Sequence, residues 1–321
     1  MTTEIINWAA KYLVTHGYTL KSNFPEEVQN TPWSYVVRFV TSDGYIYLKS
    51  TPPMLALEAD IVRVLRDKFH ASVPQIIAHN SELNCFLMHD AGRPLRQILK
   101  KEFDIELVCR TVQQFTSMQQ AVAEHVNVFL DKGVPDWRLD KIPALFNQFL
   151  FKKEILIADG VVEKEIIELN ALVPKISYLC EELSRVPIKQ TIVQPDFNDN
   201  NVLIMNDSKK ITIIDLGEIV ISHPFFSLLN FLYQMTKHHG LQTSDEAYLK
   251  IRDVCLNPYM KYSSKEILLD ALGTAKRVWH VYGILAGERL MAACGKEKII
   301  QLQQGKLRAE IKELIFACAN L

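Results

Sequence analysis

Apolar positions along this chain recur with two periods, and their alternation divides it into regions. From Glu4 to about His16 (EIINWAAKYLVTH) they fall at helical spacing and Gly17 follows as a stop, which predicts a short leading helix. Between Tyr35 and Lys49, YVVRFVTSDGYIYLK is two β-branched and aromatic runs around Ser42-Asp43-Gly44, the composition of a hairpin whose turn needs positive φ. Pro52-Pro53 ends the second run, and Met54 to Phe69 predicts a helix with Leu57, Ile61, Val62, Leu65 and Phe69 on one stripe. Short strands are expected at Gln75 to His79 and Asn84 to Met88, the second entering a loop-like segment, His89 to Pro94.

From Leu95 to about Val186 the pattern is largely helical, with long amphipathic stretches at Asp104 to Leu130 and Lys164 to Leu183. Two short apolar runs follow, Gln190 to Gln194 and Ile211 to Ile214. Helical patterns resume at Pro224, punctuated by Gly240, Pro258 and Gly295. The expectation is an α+β chain with a small β-rich lobe over residues 1–90 and a larger, mostly helical lobe over 91–321. No internal repeat or low-complexity segment interrupts it.

Composition narrows the function classes. Hydrophobic residues make up 48% of the 321 positions and charged ones 23%, as in an ordinary globular protein. Lys and Arg number 36 against 37 Asp and Glu, with no basic block, so no nucleic-acid partner is expected. No run approaches the 18 to 20 or so apolar residues that span a bilayer, and MTTEIINWAAKYLVTHGYTL lacks the charged start and apolar stretch of a signal peptide. The six cysteines lie far apart and form no zinc pattern, which suits buried thiols in a reducing, cytoplasmic setting. The nine histidines show no metal-ligand spacing either, and His238-His239 reads as a loop pair.

Chemistry concentrates between Gln194 and Gly217, QPDFNDNNVLIMNDSKKITIIDLG. Asp196 is followed by Asn201, then by a strand-like Val202 to Met205, a turn at Asn206-Asp207-Ser208, and a returning strand that delivers Asp215 beside Gly217. A hairpin would bring Asn201 and Asp215 side by side. Phosphoryl transfer from ATP needs a carboxylate to orient the acceptor hydroxyl and oxygen ligands to hold Mg2+, and Asp, Asn and Asp supply those parts. Asp and Asn also build plain turns, which is the rival reading of a lone D-x-x-x-x-N.

A second constellation lies upstream. Glu58 shares the apolar stripe of Ile61, Val62, Leu65 and Phe69, and an inward carboxylate is costly unless paired. Lys49, at the end of the preceding strand, is the nearest candidate, and a Lys held by a Glu places an ammonium on nucleotide phosphates. The bland alternative is a solvated Glu58 and an ordinary edge-strand lysine.

These segments together resemble the H-x-D-x-x-x-x-N and I-D-x-G signatures of the aminoglycoside phosphotransferase and choline kinase superfamily, relatives of the protein kinases. The resemblance implies a two-lobed protein-kinase-like fold, with Asp196 as catalytic base, Asn201 and Asp215 as Mg2+ ligands, and Lys49 with Glu58 on the phosphates of ATP. CFLMHDAGRPLRQIL, residues 85–99, resembles the interlobe hinge, where the backbone of Met88, His89 and Asp90 would meet adenine. Ser222-His223-Pro224 resembles the family's G-D-P segment without its acidic residues. Gln194 stands in place of the usual His, and the nucleotide loop Asn30-Thr31-Pro32-Trp33-Ser34 has no glycine, so Ser34 and backbone amides would contact the phosphates.

The implied activity is transfer of the γ-phosphoryl group to a hydroxyl of a small molecule. A catalytically weak or inactive nucleotide-binding module is the alternative, motivated by Gln194 and that loop. Acceptor contacts are expected from Asn198, Asp199, Glu218, Trp279, Tyr282 and Glu288, the last three within VWHVYGILAGERL, where an aromatic surface with a carboxylate suits a cationic amine. Trp279 and Tyr282 as core residues with a solvated Glu288 is the other reading.

Overall fold

The computed structural model describes residues 2–22 and 24–319. In chain order, helix α1 (Thr2–Thr15) precedes strands β1 (Glu26–Asn30), β2 (Tyr35–Thr41) and β3 (Gly44–Ser50), helix α2 (Glu58–Phe69), and strands β4 (Ile76–Asn80), β5 (Cys85–His89) and β6 (Arg93–Pro94). Seven helices follow: α3 (Leu95–Leu99), α4 (Ile105–Val122), α5 (Asn127–Leu130), α6 (Ile142–Leu150), α7 (Lys153–Ala158), α8 (Glu163–Ala171) and α9 (Val173–Ser184). Strands β7 (Thr191–Val193), β8 (Val202–Ile204), β9 (Ile211–Ile213) and β10 (Val220–Ser222) lead to α10 (Phe225–His239), α11 (Glu246–Leu256), α12 (Lys265–Cys294), α13 (Lys296–Leu302) and α14 (Lys306–Cys318). The architecture is α+β, as the pattern of residues implied.

The chain forms two compact units. The first runs through Leu95 and takes in Val202–Glu218. Its five-stranded antiparallel sheet has the order β1-β2-β3-β5-β4. The expected hairpin turns at Ser42-Asp43, with Thr41 opposite Gly44 and the Thr41 hydroxyl donating to the Gly44 carbonyl at 2.8 Å. Ile5, Ala9 and Leu13 of α1 pack on Val37, Phe39, Ile46, Leu48 and Leu87, closing one face of the sheet.

Three features depart from expectation. Strand β1, EEVQN, is exposed at every position, so its polar sequence carries no period for a reader to detect. Helix α2 begins at Glu58 rather than Met54, because Pro53–Leu55 forms a 3-10 turn after Pro52. The loop-like Arg93-Pro94 pairs with Leu203 and Ile204, giving a small β6-β8-β9 sheet. Gly92 permits that pairing: its φ is +107°, and a Cβ there would lie 2.2 Å from the Ile204 carbonyl oxygen.

The second unit comprises Arg96–Asn201 and the chain from Ile219 onward. Helix α12, 30 residues capped by Ser264, packs on α6, α9, α10, α13 and α14, while α4 lies against α11 and β7. The stretch Asp104 to Leu130 breaks after Val122 into α4 and α5, and Lys164 to Leu183 divides at Leu172, where Pro174 opens α9. β10 pairs with β7 in a two-stranded sheet whose members lie too far apart in sequence for a turn to announce the pairing. His238 and His239 end α10 rather than forming a loop pair, and Gly240 caps them at φ +69°. Among the described residues no helix is long and apolar enough to cross a membrane.

Candidate active site

In the first unit, Lys49, Glu58 and Asp215 converge. Lys49 lies on β3, the second of the hairpin strands, and its side chain is 7% exposed; that of Glu58, the first residue of α2, is 4% exposed. The Lys49 Nζ lies 2.6 Å from Glu58 Oε2 and donates to Asp215 Oδ1 at 2.5 Å. Glu58 Oε1 accepts from the Leu216 N–H at 3.1 Å, so both carboxylate oxygens are engaged. Burial alone would pull the Lys49 ammonium down, but Asp215 and Glu58 outweigh it and hold it above its ordinary range. Burial pushes the Glu58 carboxyl up against the pull of Lys49.

Asp215 follows β9 with φ +63°, a left-handed conformation that Asp adopts more readily than most residues. Two residues on, a Cβ at Gly217 would lie 3.0 Å from the Leu55 carbonyl oxygen and 3.4 Å from Glu58 Oε2. A side chain there would crowd the turn before α2, so the D-x-G ending has a local steric cause.

Ser34 closes the four-residue link between β1 and β2, where the Thr31 hydroxyl donates to the Ser34 carbonyl and accepts from its N–H. Its own hydroxyl is buried and, among the described residues, has no hydrogen-bond partner. Met88 and His89 end β5. The N–H groups of His89 and Asp90 donate to the carbonyls of Gln75 and Tyr45, and Asp90 Oδ1 accepts from Gly92. Glu218 is half-buried at the end of this unit's second segment.

In the second unit, Asp196 is exposed on a loop that is otherwise fixed. Phe197 is fully buried and stacks on Phe115 of α4 at 3.6 Å and on Phe231 of α10 at 4.9 Å. The Asp196 carbonyl accepts from the side-chain amides of Asn198 and Asn201, both at 2.9 Å, and Asn201 also donates to Asp196 Oδ2 at 3.0 Å. The donor side of the buried Asn201 amide is thus spent within the loop, which leaves its carbonyl oxygen as the group it can offer.

Residues that sequence reading passed over hold this loop. Ser227 exchanges hydrogen bonds with the backbone of Gln194, Asn230 donates to the Phe197 carbonyl at 3.0 Å, and Gln234 accepts from Arg96 at 3.4 Å. They fall three and four residues apart on α10, and that polar stripe within FFSLLNFLYQM was the available signal. Arg96 and His239 hold Asp199, which is fully buried.

The proposed acceptor residues on α12 separate. Tyr282 is buried, edge-on to Trp137 at 5.5 Å and beside Phe226 at 5.2 Å, as the core reading has it. Trp279 is half-buried against Tyr233, and Glu288 pairs with Lys152 at 2.5 Å.

No family model matches this chain, and no curated protein matches it. Solved structures do. A macrolide 2'-phosphotransferase type I is 13% identical with a TM-score of 0.60, covering 95% of this chain and 96% of its own. An ADP-bound aminoglycoside phosphotransferase, APH(2'')-Ib, is 14% identical with a TM-score of 0.57 over 96% of each chain. Plasmodium vivax ethanolamine kinase is 11% identical with a TM-score of 0.57, covering 89% and 84%. The chain has the protein-kinase-like fold shared by these small-molecule phosphotransferases.

Proposed function

We propose that this chain is a phosphotransferase that moves the γ-phosphoryl group of ATP to a hydroxyl of a small molecule such as an aminoglycoside, choline, a sugar or an amino alcohol. One observation carries the reading: a buried lysine held simultaneously by Glu58 and by Asp215. Keeping the Lys49 ammonium and the Glu58 carboxylate out of water is costly, and a purely structural site would be equally well filled by apolar side chains. A polyphosphate gives that lysine a partner beyond the two that hold it. The fold shared with the structures above supports the same class, and we assign residues 1–90 to nucleotide binding and 91–321 to catalysis and the acceptor.

The chemistry assigned to the chain is simple. Asp196 accepts the hydrogen bond of the acceptor hydroxyl and takes its proton as that oxygen bonds to the γ-phosphorus. The bond from phosphorus to the bridging oxygen breaks, and ADP leaves with its electron pair. Lys49, fixed by Glu58, neutralises the α- and β-phosphates, Ser34 contacts the phosphates, and Met88 to Asp90 border the adenine. The offered carbonyl of Asn201 and the carboxylate of Asp215 are hard oxygen donors of the kind Mg2+ takes. Bound there, Mg2+ would spread the charge of the transferring group. Glu218, Trp279 and Glu288 are assigned to the acceptor, whereas the buried Asn198 spends its side chain on Arg96, Asn200 and the Asp196 carbonyl, and the six free cysteines suit a cytoplasmic setting.

The test is transfer of labelled γ-phosphate from Mg·ATP across a panel of aminoglycosides, choline, ethanolamine, amino alcohols and sugars. At least one acceptor is expected to be phosphorylated, and Asp196→Ala should lower that turnover about 10^2- to 10^4-fold. Nucleotide binding without transfer to any acceptor would favour the second reading, a nucleotide-binding module, for which Gln194 and the glycine-free loop speak.

A further inference from the structure

Asp199 cannot easily serve an acceptor, because it is fully buried and both carboxylate oxygens are engaged. Oδ1 accepts from Arg96 Nε at 3.0 Å and from its NH2 group at 2.7 Å, and Oδ2 lies 2.7 Å from His239 Nε2. The Arg96 N–H donates to the Asp199 carbonyl at 3.0 Å, and the guanidinium also reaches Asn198 Oδ1 at 3.3 Å and Gln234 Oε1 at 3.4 Å. Asn198 Oδ1 accepts from Asn200 N–H as well, and its amide donates to the Asp196 carbonyl. One guanidinium therefore ties together α3, α10 and the loop from Asp196 to Asn201. The His239 ring, packed at 5.6 Å from Phe103, closes the far side.

We infer that Arg96 and His239 are positioning residues: acting through Asp199, they fix the backbone that presents Asp196. The arrangement fits that purpose physically. A carboxylate wholly out of water, gripped on one oxygen by two N–H groups of a guanidinium and on the other by an imidazole, is directional, and the same guanidinium also reaches Asn198, the residue whose amide holds the Asp196 carbonyl. A misplacement of about 1 Å in a reacting group can cost about a hundredfold in rate, so the bracing matters to turnover far more than to nucleotide affinity. None of these residues need touch substrate. This assignment rests on the phosphotransferase reading for its kinetic consequence, whereas the bracing itself does not.

Two measurements separate those parts. In hydrogen–deuterium exchange of the full chain, Arg96→Met and His239→Phe should each speed exchange of amides between Gln194 and Asn201 at least tenfold, with peptides of the first unit unchanged. Unaltered exchange there overturns the bracing, whether or not any acceptor is found. With an acceptor in hand, Arg96→Met should lower kcat at least tenfold while the KM for Mg·ATP stays within about threefold, and Arg96→Lys should recover part of the loss. A KM that rises in step with the fall in kcat, or wild-type kcat in Arg96→Met, also overturns it. If wild-type turnover is absent, or is indifferent to Asp196→Ala, the phosphotransferase reading fails, and the exchange experiment still decides the bracing.

Discussion

The two units solve opposite electrostatic problems. Around Lys49 three charged groups are held by one another, two of them almost wholly out of water. Around Asp196 a single exposed carboxylate is held by neighbours that are mainly neutral: three side-chain amides on two backbone carbonyls, and one phenyl ring locked between two others. Charges that hold charges give a site rigid in geometry but dependent on every member, since removing one strands the rest. A backbone fixed by amides and rings, with the Arg96–Asp199 pair behind them, can present the Asp196 carboxylate to solvent without burying it.

The largest effect should come from breaking the charged set. Lys49→Met leaves Glu58 and Asp215 as two carboxylates with no cation between them, and should destabilise the first unit by about 3–5 kcal/mol in denaturant unfolding and, under the proposed function, abolish phosphoryl transfer. The loss should shrink toward pH 5, because Glu58, whose carboxyl burial already pushes up, takes a proton and relieves the repulsion. A destabilisation that does not change between pH 7 and pH 5 would show that charge is not what holds this cluster.

Phe197→Ala probes the neutral side. The ring is fully buried between Phe115 and Phe231, and its removal should cost about 3 kcal/mol, the lower end of the usual range because those two rings can close on one another. Unlike the lysine variant, this loss should be indifferent to pH in the same interval. Turnover should fall with it, since the residue next to Asp196 loses its anchor.

The contrast also explains which site was legible in sequence. The charged cluster announces itself, because Glu58 breaks an apolar stripe at Ile61, Val62 and Leu65, and the D-x-G ending at Asp215 follows a β-branched run. Both are local patterns, and the hairpin that carries Lys49 is equally local. The bracing of Asp196 is tertiary: Arg96 lies over 100 residues before Asp199 and His239 lies 40 residues after it. Only the Ser227, Asn230, Gln234 spacing on an apolar helix hinted at it. Strand β1 and the β7–β10 pair escaped for a related reason, since a fully exposed strand has no apolar period and β7 and β10 lie far apart in sequence with no turn joining them.

The smallest effect belongs to His223, which sits just ahead of α10, the helix that braces the loop. It is buried, its Nδ1 accepts from the Phe225 N–H, and burial pulls its pKa down to about 3. The fold therefore keeps the ring neutral, whereas the unfolded chain protonates it near its ordinary value of about 6.5. A depressed folded-state value means that the contribution to stability is complete above about pH 6.5 and is lost progressively as the pH falls toward 3. At pH 5 the unfolded chain is favoured by about 1.5 units' worth of proton binding, roughly 2 kcal/mol. His223→Asn keeps an acceptor for the Phe225 N–H and removes the titration, so its unfolding free energy should fall by about 2 kcal/mol less than the wild type's between pH 7 and pH 5. Parallel pH profiles for the two proteins would mean that His223 is not the source of the acid sensitivity.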